Sequence, residues 1–134
     1  MSYEYDESEW PVVQFKFVGR LSDSELENYL RDADALVNGE RTYACVMNGL
    51  DMLTPEIEFV RRQAQWIQRN SQGMRRVNRG IALVSSSAMI RGLVRAVLHL
   101  QALPVPSQTF SELAEGIAWA RALATATTRP RANE

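Results

Sequence analysis

The chain of 134 residues carries 15 Lys and Arg against 16 Asp and Glu, and its formal net charge of −1 argues against a global nucleic-acid or membrane binder. Its length suits one domain, and its single cysteine excludes an internal disulfide bond and a multi-cysteine metal site. Because no apolar stretch is long enough to cross a membrane and the acidic N-terminus does not resemble a signal peptide, the sequence predicts a soluble, cytoplasmic protein.

The N-terminal segment predicts two strands. Tyr3 and Tyr5 alternate with acidic residues, as in a short edge strand. Residues 12–18 alternate apolar and polar side chains, which is typical of a strand with one wetter face.

A first helix has clear start and stop signals. Ser22 and Glu25 have the spacing of a capping box, in which each residue bonds the backbone of the other. Asn38 and Gly39 supply the C-terminal stop. Between them, residues with helical spacing predict one apolar face: Leu26, Leu30, Ala33 and Val37.

The centre of the chain predicts a buried strand followed by a loop. Tyr43–Met47 has no charged or amide side chain, which fits a strand buried on both faces. Asn48 and Gly49 both suit turns, so we expect them to end the strand. The loop 48–53 then lies at the carboxyl end of a central strand, where open α/β sheets usually bind their ligands.

A second helix is predicted directly after this loop. Thr54 is the expected N-cap and Pro55 the first helical residue. The helix should fray near residues 70–73 and lead into a basic connector, 74–79. Its predicted apolar face carries Ile57, Val60, Ala64 and Ile67.

The third unit combines a strand at 81–84 with a helix at 88–101, which the serines at 85–87 precede as N-cap candidates. Small residues lie four apart on this helix and predict a close approach to a neighbouring element: Ala88, Gly92 and Ala96.

The last unit is a short strand at 105–110 and a helix that Ser111 is expected to cap and that runs to about Ala124. Four βα units with an additional N-terminal edge strand predict an α/β fold with a mostly parallel sheet. We therefore expect a single domain over residues 1–124 and a flexible tail over 125–134.

No catalytic set is evident. Neither common phosphate-binding glycine loop is present, so no nucleotide cofactor is predicted. His99 lies about 20 Å along its helix from the serines at 85–87, too far for a Ser–His pair. Cys45 is predicted to be a small core residue. One His and one Cys supply too few ligands for a zinc site. The sequence thus predicts a non-enzyme without catalytic residues, metal or cofactor.

Charge is unevenly distributed along the chain. From Phe59 to Phe110 no acidic residue occurs, although this segment contains eight arginines. Such a segment either neutralises the acidic first half of the chain, within the fold or across a dimer, or binds an anionic partner. The near-cancelling totals favour neutralisation, and nucleic-acid binding is not favoured.

Three stretches carry a resemblance to a known family: Y-A-C-V-M-N-G-L-D-M-L-T-P-E, V-S-S-S-x-x-x-R-G and F-S-E-L-A-E-G-I-A-W-A. Together with the βα order they resemble the STAS/SpoIIAA-like superfamily, over about Trp10 to Ala124, and in particular its uncharacterised bacterial SpoIIAA-like proteins. The CRAL-TRIO lipid-binding domains are similar in topology but longer.

The resemblance implies a βα superhelix and a non-catalytic regulator similar to anti-sigma-factor antagonists. In that family a Ser or Thr at the start of the helix after the central strand is phosphorylated, and Thr54 stands nearest to this position. The family's D-S-[ST]-G pattern is replaced here by D-M-L-T-P-E, so a plain helix cap at Thr54 is the favoured interpretation.

Three functional hypotheses follow. The first is a regulatory module that binds another protein or a second copy of itself; its candidate partner-binding or switch residues are Asn48, Asp51, Thr54, Ser86, Arg91 and Arg95. The alternative is a carrier of a small molecule or lipid, with a pocket between sheet and helices. The third is an anion or nucleic-acid site formed by the arginines.

Overall fold

The computed structural model describes residues 2–53, 55–100 and 103–126. Strands and helices alternate along the chain in the order β1 (Ser2–Asp6), β2 (Val12–Gly19), α1 (Asp23–Val37), β3 (Tyr43–Met52), α2 (Ile57–Val77), β4 (Asn78–Val84), α3 (Ala88–Leu100), β5 (Ser107–Phe110) and α4 (Leu113–Ala124). None of the described helices is long and apolar enough to span a bilayer.

The five strands form one sheet in the order β1-β2-β3-β4-β5. β1 pairs antiparallel with β2, and the other neighbours are parallel. The predicted α/β class, the mostly parallel sheet and the N-terminal edge strand are therefore confirmed.

The helices cover the two faces of the sheet unequally. The side chains of α1, α2 and α3 pack with one set of strand residues, which includes Phe15, Cys45 and Ile81. α4 packs on the other set, which includes Val46 and Ala82. Helices that connect successive parallel strands through right-handed crossovers lie on one face, and α4 follows the last strand and is free to take the other.

The predicted start and stop of α1 are confirmed. Ser22 Oγ accepts a hydrogen bond from Glu25 N at 3.2 Å, and Glu25 Oε1 accepts one from Ser22 N at 2.9 Å. Asn38 is the C-cap, with its N–H donated to Asp34 O. The expected apolar face is buried in the core: Leu26, Leu30, Ala33 and Val37.

The prediction that Asn48 and Gly49 end the central strand is wrong, since β3 continues to Met52. The reason is pairing with β2, which runs beside this segment as far as Gly19. Asn48 Nδ2 also donates a hydrogen bond to Gln14 Oε1 at 2.8 Å. These inter-strand bonds outweigh the local turn preference of the Asn-Gly pair.

The predicted limits of α2 are also wrong. The helix begins at Ile57 with Glu56 as N-cap and without a side-chain capping bond, whereas Thr54 lies outside the described residues. It runs to Val77 and leads directly into β4, so no basic connector exists at 74–79. Burial of Met74 and Val77 extends the apolar face and accounts for the longer helix, while Ile57 is exposed.

In α3, Ser87 Oγ accepts a hydrogen bond from Ile90 N at 3.2 Å, as expected of an N-cap serine. The predicted close approach along this helix is wrong. Ala88, Gly92 and Ala96 are exposed, and a Cβ on Gly92 would meet no atom within 4 Å.

The C-terminal unit follows the predicted pattern with shifted limits. β5 is confined to Ser107–Phe110, and the N-cap of α4 is Glu112 instead of Ser111. α4 ends at Ala124 as expected. The predicted tail lies outside the described residues from 127 onward.

Candidate functional site

A cavity of about 210 Å³ lies between the sheet and the helices α1, α2 and α3. Its floor includes Phe15 of β2, Cys45 of β3 and Ile81 of β4. Its roof is formed mainly by α2 and α3, from which Val60 and Val94 contribute. The three helices that follow β2, β3 and β4 therefore enclose it from one side.

Small side chains leave this space unfilled. Ala33 of α1, Cys45 of β3 and Ala64 of α2 all line the cavity and come from three different elements. The methyl groups of the two alanines and the CH₂–SH group of Cys45 are short, so they leave space between the larger side chains of the lining. The volume exceeds that of a roughly 150 Å³ apolar cavity that holds one benzene molecule.

Polar contacts fix α2 over α1 and hold the roof in place. Trp66 Nε1 donates a hydrogen bond to Asp34 Oδ1 at 2.7 Å. At the other end of α2, Arg76 donates to Val37 O at 2.8 Å and to Gly39 O at 2.9 Å. The arginine thus satisfies carbonyls at the C-terminus of α1, which lack helical partners.

An aromatic cluster stiffens the wall of the cavity that α1 provides. The ring of Tyr29 meets Phe15 edge-on at 5.2 Å between centroids and Phe17 edge-on at 5.1 Å. On its other side Tyr29 stacks with Phe59 of α2, with centroids 6.4 Å apart. Such pairs favour one arrangement of the rings, so this wall is preformed.

The polar groups of the lining are neutral. Burial raises the pKa of the Cys45 thiol to about 12, although Asn78 Nδ2 donates to its sulfur at 3.7 Å. Burial also raises the pKa of Tyr29 and that of Tyr43. For Tyr29, a hydrogen bond from the Gln63 side chain partly opposes this rise. At neutral pH these thiol and phenol groups keep their protons.

Gln63 is one of two amide side chains in a mostly apolar lining, the other being Asn78. Gln63 lies on the same face of α2 as Val60, Ala64 and Ile67, which also line the cavity. Its Oε1 atom is buried and accepts no hydrogen bond from the part of the chain that the structure describes.

Three of the predicted partner-binding residues, Asn48, Asp51 and Ser86, lie toward the carboxyl edge of the sheet and do not line the cavity. Asn48 is buried in β3, where its Oδ1 accepts from Leu50 N at 3.2 Å in addition to the bond with Gln14. Asp51 is exposed near the end of β3, opposite Val18. Ser86 is exposed between β4 and α3.

The two predicted arginines of α3 bind the protein itself. Arg91 Nη1 donates to Ser85 O at 2.7 Å, and Arg95 donates through Nε and Nη2 to Thr109 Oγ1 at 3.3 and 3.1 Å. Thr54, the predicted switch or cap, lies outside the described residues. A role of these six candidates in partner binding stays a prediction.

Other arginines are spread over separate elements, where several pair with nearby acids. Exposed ion pairs join Arg20 to Glu56, Arg61 to Glu58 and Arg121 to Glu9. Only Arg121–Glu9 joins distant parts of the acidic and basic halves, because Arg20 and Glu56 both belong to the acidic half and Arg61 and Glu58 are three residues apart. Neutralisation of one half by the other stays a prediction.

Exposed apolar side chains also occur at the carboxyl edge. Leu53 follows β3, Ile57 begins α2 and Met89 lies in the first turn of α3, with 56%, 86% and 80% of their surfaces exposed. Because β3 and β4 are parallel neighbours, the segments that follow them emerge at the same edge.

Sequence patterns placed Cys45 in the core, and a pocket between sheet and helices was part of the carrier hypothesis, but no residue was assigned to its lining. Two features of the sequence could have indicated the cavity: Gln63 on an otherwise apolar helix face, and small residues on several elements. Within residues 2–53, 55–100 and 103–126, no group of three His, Cys, Asp or Glu side chains is arranged to hold a metal ion.

Comparison with known proteins identifies the fold. No protein-family model matches the chain, and no curated protein sequence matches it. A solved structure of an uncharacterised protein from the DUF3478 family, from Shewanella loihica PV-4, matches with a TM-score of 0.66 at 11% identity, over 89% of this chain and 92% of that one. That protein is described as having a SpoIIAA-like fold, and the α/β architecture found here is of the same SpoIIAA-like kind.

Proposed function

We propose that this protein is a non-enzymatic binding protein that carries an uncharged, largely apolar small molecule between its sheet and its helices α2 and α3. The supporting observation is the apolar cavity of about 210 Å³, whose wall is braced by aromatic contacts and by bonds between α1 and α2. Ligand sites in proteins are typically concave, mostly apolar and preformed, with few polar groups.

The size of the cavity sets the size of the ligand. On the scale of a 150 Å³ cavity that holds the six carbons of benzene, 210 Å³ holds about eight carbons. Calorimetric titration with linear 1-alkanols from four to ten carbons tests this. Affinity should rise about fourfold per added CH₂, from about 0.8 kcal/mol of burial each, and should stop rising near eight carbons.

A cavity-filling variant separates binding in the cavity from binding at the surface. Ala64→Phe places a ring in the cavity and should abolish alkanol binding while preserving a cooperative unfolding transition. Ala118→Phe on the exposed side of α4 is the matched control and should bind as the wild type does. The proposal fails if no alkanol binds, or if both variants bind equally.

A protein-interaction role, the first hypothesis from the sequence, is the second candidate. The observation that favours it is the exposure of Leu53, Ile57 and Met89 at one edge of the sheet. Binding between copies of this chain is one form of this role, and it can be tested with the purified protein alone. Sedimentation should then depend on concentration, and an Ile57→Ser/Met89→Ser variant should remain monomeric.

A further inference from the structure

The chemistry of the bound molecule can be narrowed further, on the premise that the proposed apolar-ligand function is correct. The key atom is Gln63 Oε1, which is buried at the cavity wall and accepts no hydrogen bond from the described residues. A buried carbonyl without a donor has lost its hydration without compensation, so the folded protein is stabilised by any group that supplies a donor there.

The neighbouring hydroxyl of Tyr29 does not satisfy this oxygen. The Gln63 side chain partly opposes the rise that burial causes in the Tyr29 pKa, which is the direction expected of a donated hydrogen bond. Oε1 itself accepts no hydrogen bond from the described residues, that of the Tyr29 hydroxyl included. The terminal torsion of glutamine is soft, so a small turn brings Oε1 to face a molecule in the cavity.

The rest of the lining restricts the ligand's charge. Among the described residues that line the cavity there is no Asp, Glu, Lys, Arg or His. An ionised carboxylate or phosphate placed there would lose its hydration without gaining a counter-charge, which costs several kcal/mol. The ligand must consequently be uncharged at the end that it buries.

An uncharged molecule that donates a hydrogen bond meets both requirements. Ketones, esters and ethers are uncharged but bring only acceptors, which would leave the amide oxygen unpaired. We propose that the molecule carried in the cavity is a neutral alcohol of about eight carbons whose hydroxyl group donates a hydrogen bond to Gln63 Oε1.

Two isomers test this directly: 1-octanol and 1-methoxyheptane have the same atoms, but only the alcohol has a donor. We expect calorimetric titration of the wild type to give about tenfold tighter binding for the alcohol, as one additional hydrogen bond to a buried acceptor would. Octanoate serves as the charged probe and should bind at least tenfold more weakly than 1-octanol.

Two glutamine variants assign the preference to one atom. In Gln63→Met, which has a similar shape and no carbonyl, the ether should bind as well as the alcohol. Gln68→Met, on an exposed position of the same helix, should keep the tenfold preference. If Gln63→Met does not fold, the wild-type ratio still tests the need for a donor, and equal binding of the two isomers overturns the proposal.

The outcomes distinguish this inference from the proposed function. Equal binding of alcohol and ether to the wild type overturns the hydroxyl assignment but leaves an apolar binding protein. Octanoate that binds as tightly as 1-octanol overturns the requirement for a neutral ligand. Failure of both isomers to bind removes the proposed function itself.

Discussion

The first turn of α1 is stabilised by two reciprocal hydrogen bonds between Ser22 and Glu25. Each bond satisfies a backbone N–H that the helix geometry leaves without a partner. The bond from Ser22 N also lowers the pKa of the Glu25 carboxyl. The capping box that the sequence predicts at Ser22 and Glu25 is therefore present with both of its hydrogen bonds.

Replacing Ser22 by Ala should lower the free energy of unfolding by about 1 kcal/mol, because Glu25 N loses its acceptor. Urea denaturation of purified protein measures this. Ser111→Ala is the control: the sequence also predicts a cap there, but the N-cap of α4 is Glu112, so the unfolding midpoint should not change. A similar loss in both variants would contradict the assignment of the caps.

At the scale of elements, the two helical layers differ in how tightly they pack. α4 lies close to β4 because glycines occupy the contact: a Cβ on Gly116 would come within 2.8 Å of Val84 Cγ2, and one on Gly80 within 2.6 Å of Leu123 Cδ1. On the opposite face the roof of α2 and α3 stands away from the sheet over the cavity. One face of the molecule is thus densely packed and the other contains a void.

A pair of glycine substitutions tests this contrast. Gly92→Ala should stabilise the protein by up to about 1 kcal/mol, because the site is open and Ala is the better helix former. Gly116→Ala should destabilise it despite the same helical benefit, since overpacking costs roughly 1–3 kcal/mol. Thermal unfolding of both variants decides; stabilisation by Gly116→Ala would show that α4 packs less closely than described.

Local patterns predicted the elements whose limits depend on neighbours in sequence. The alternation of β2 and the capping box of α1 are of this kind, and both were found as expected. The extension of β3 depends on Gln14, which lies 34 residues before Asn48, and the length of α2 is supported by Arg76 bonding Val37 O across 39 residues. Contacts between residues so far apart in the sequence produce no pattern within either segment. The sequence analysis therefore placed the ends of β3 and α2 wrongly.

The candidate site was harder to predict for a related reason. A cavity is a volume that no side chain fills, and it depends on how Ala33, Cys45 and Ala64 meet from three elements. Patterns along one element report only that each residue faces the core. The carboxyl edge, in contrast, follows from topology, and the structure does place Asp51 and Ser86 there.

At the scale of the whole molecule, the burial of protonated phenol and thiol groups makes the free energy of unfolding decrease at alkaline pH. Burial is the main cause of the raised pKa of Tyr3, Tyr29 and Tyr43, and it raises that of Cys45 to about 12. In the unfolded chain a thiol ionises near pH 8.5 and a phenol near pH 10, as reference values. The unfolded state therefore releases protons first as pH rises.

The urea midpoint should accordingly be constant up to about pH 8 and then fall as pH rises through the ordinary thiol and phenol range toward the higher folded values. Ionisation of tyrosine, followed by absorbance, should coincide with unfolding. In Cys45→Ala the decline should begin nearer pH 10, because only the phenols remain. A midpoint that stays constant to pH 11 would contradict the burial of these groups.

The position of α4 has a consequence for the protein while it is being made. The sheet face that α4 covers consists of apolar residues such as Val46 and Val84, and its covering helix is translated after them. At about 5–20 residues per second, the ribosome needs about 2–8 s to proceed from Val84 to Ala124. During that interval the nascent chain presents an uncovered hydrophobic face, and this is the stage at which a chaperone would have the most to shield.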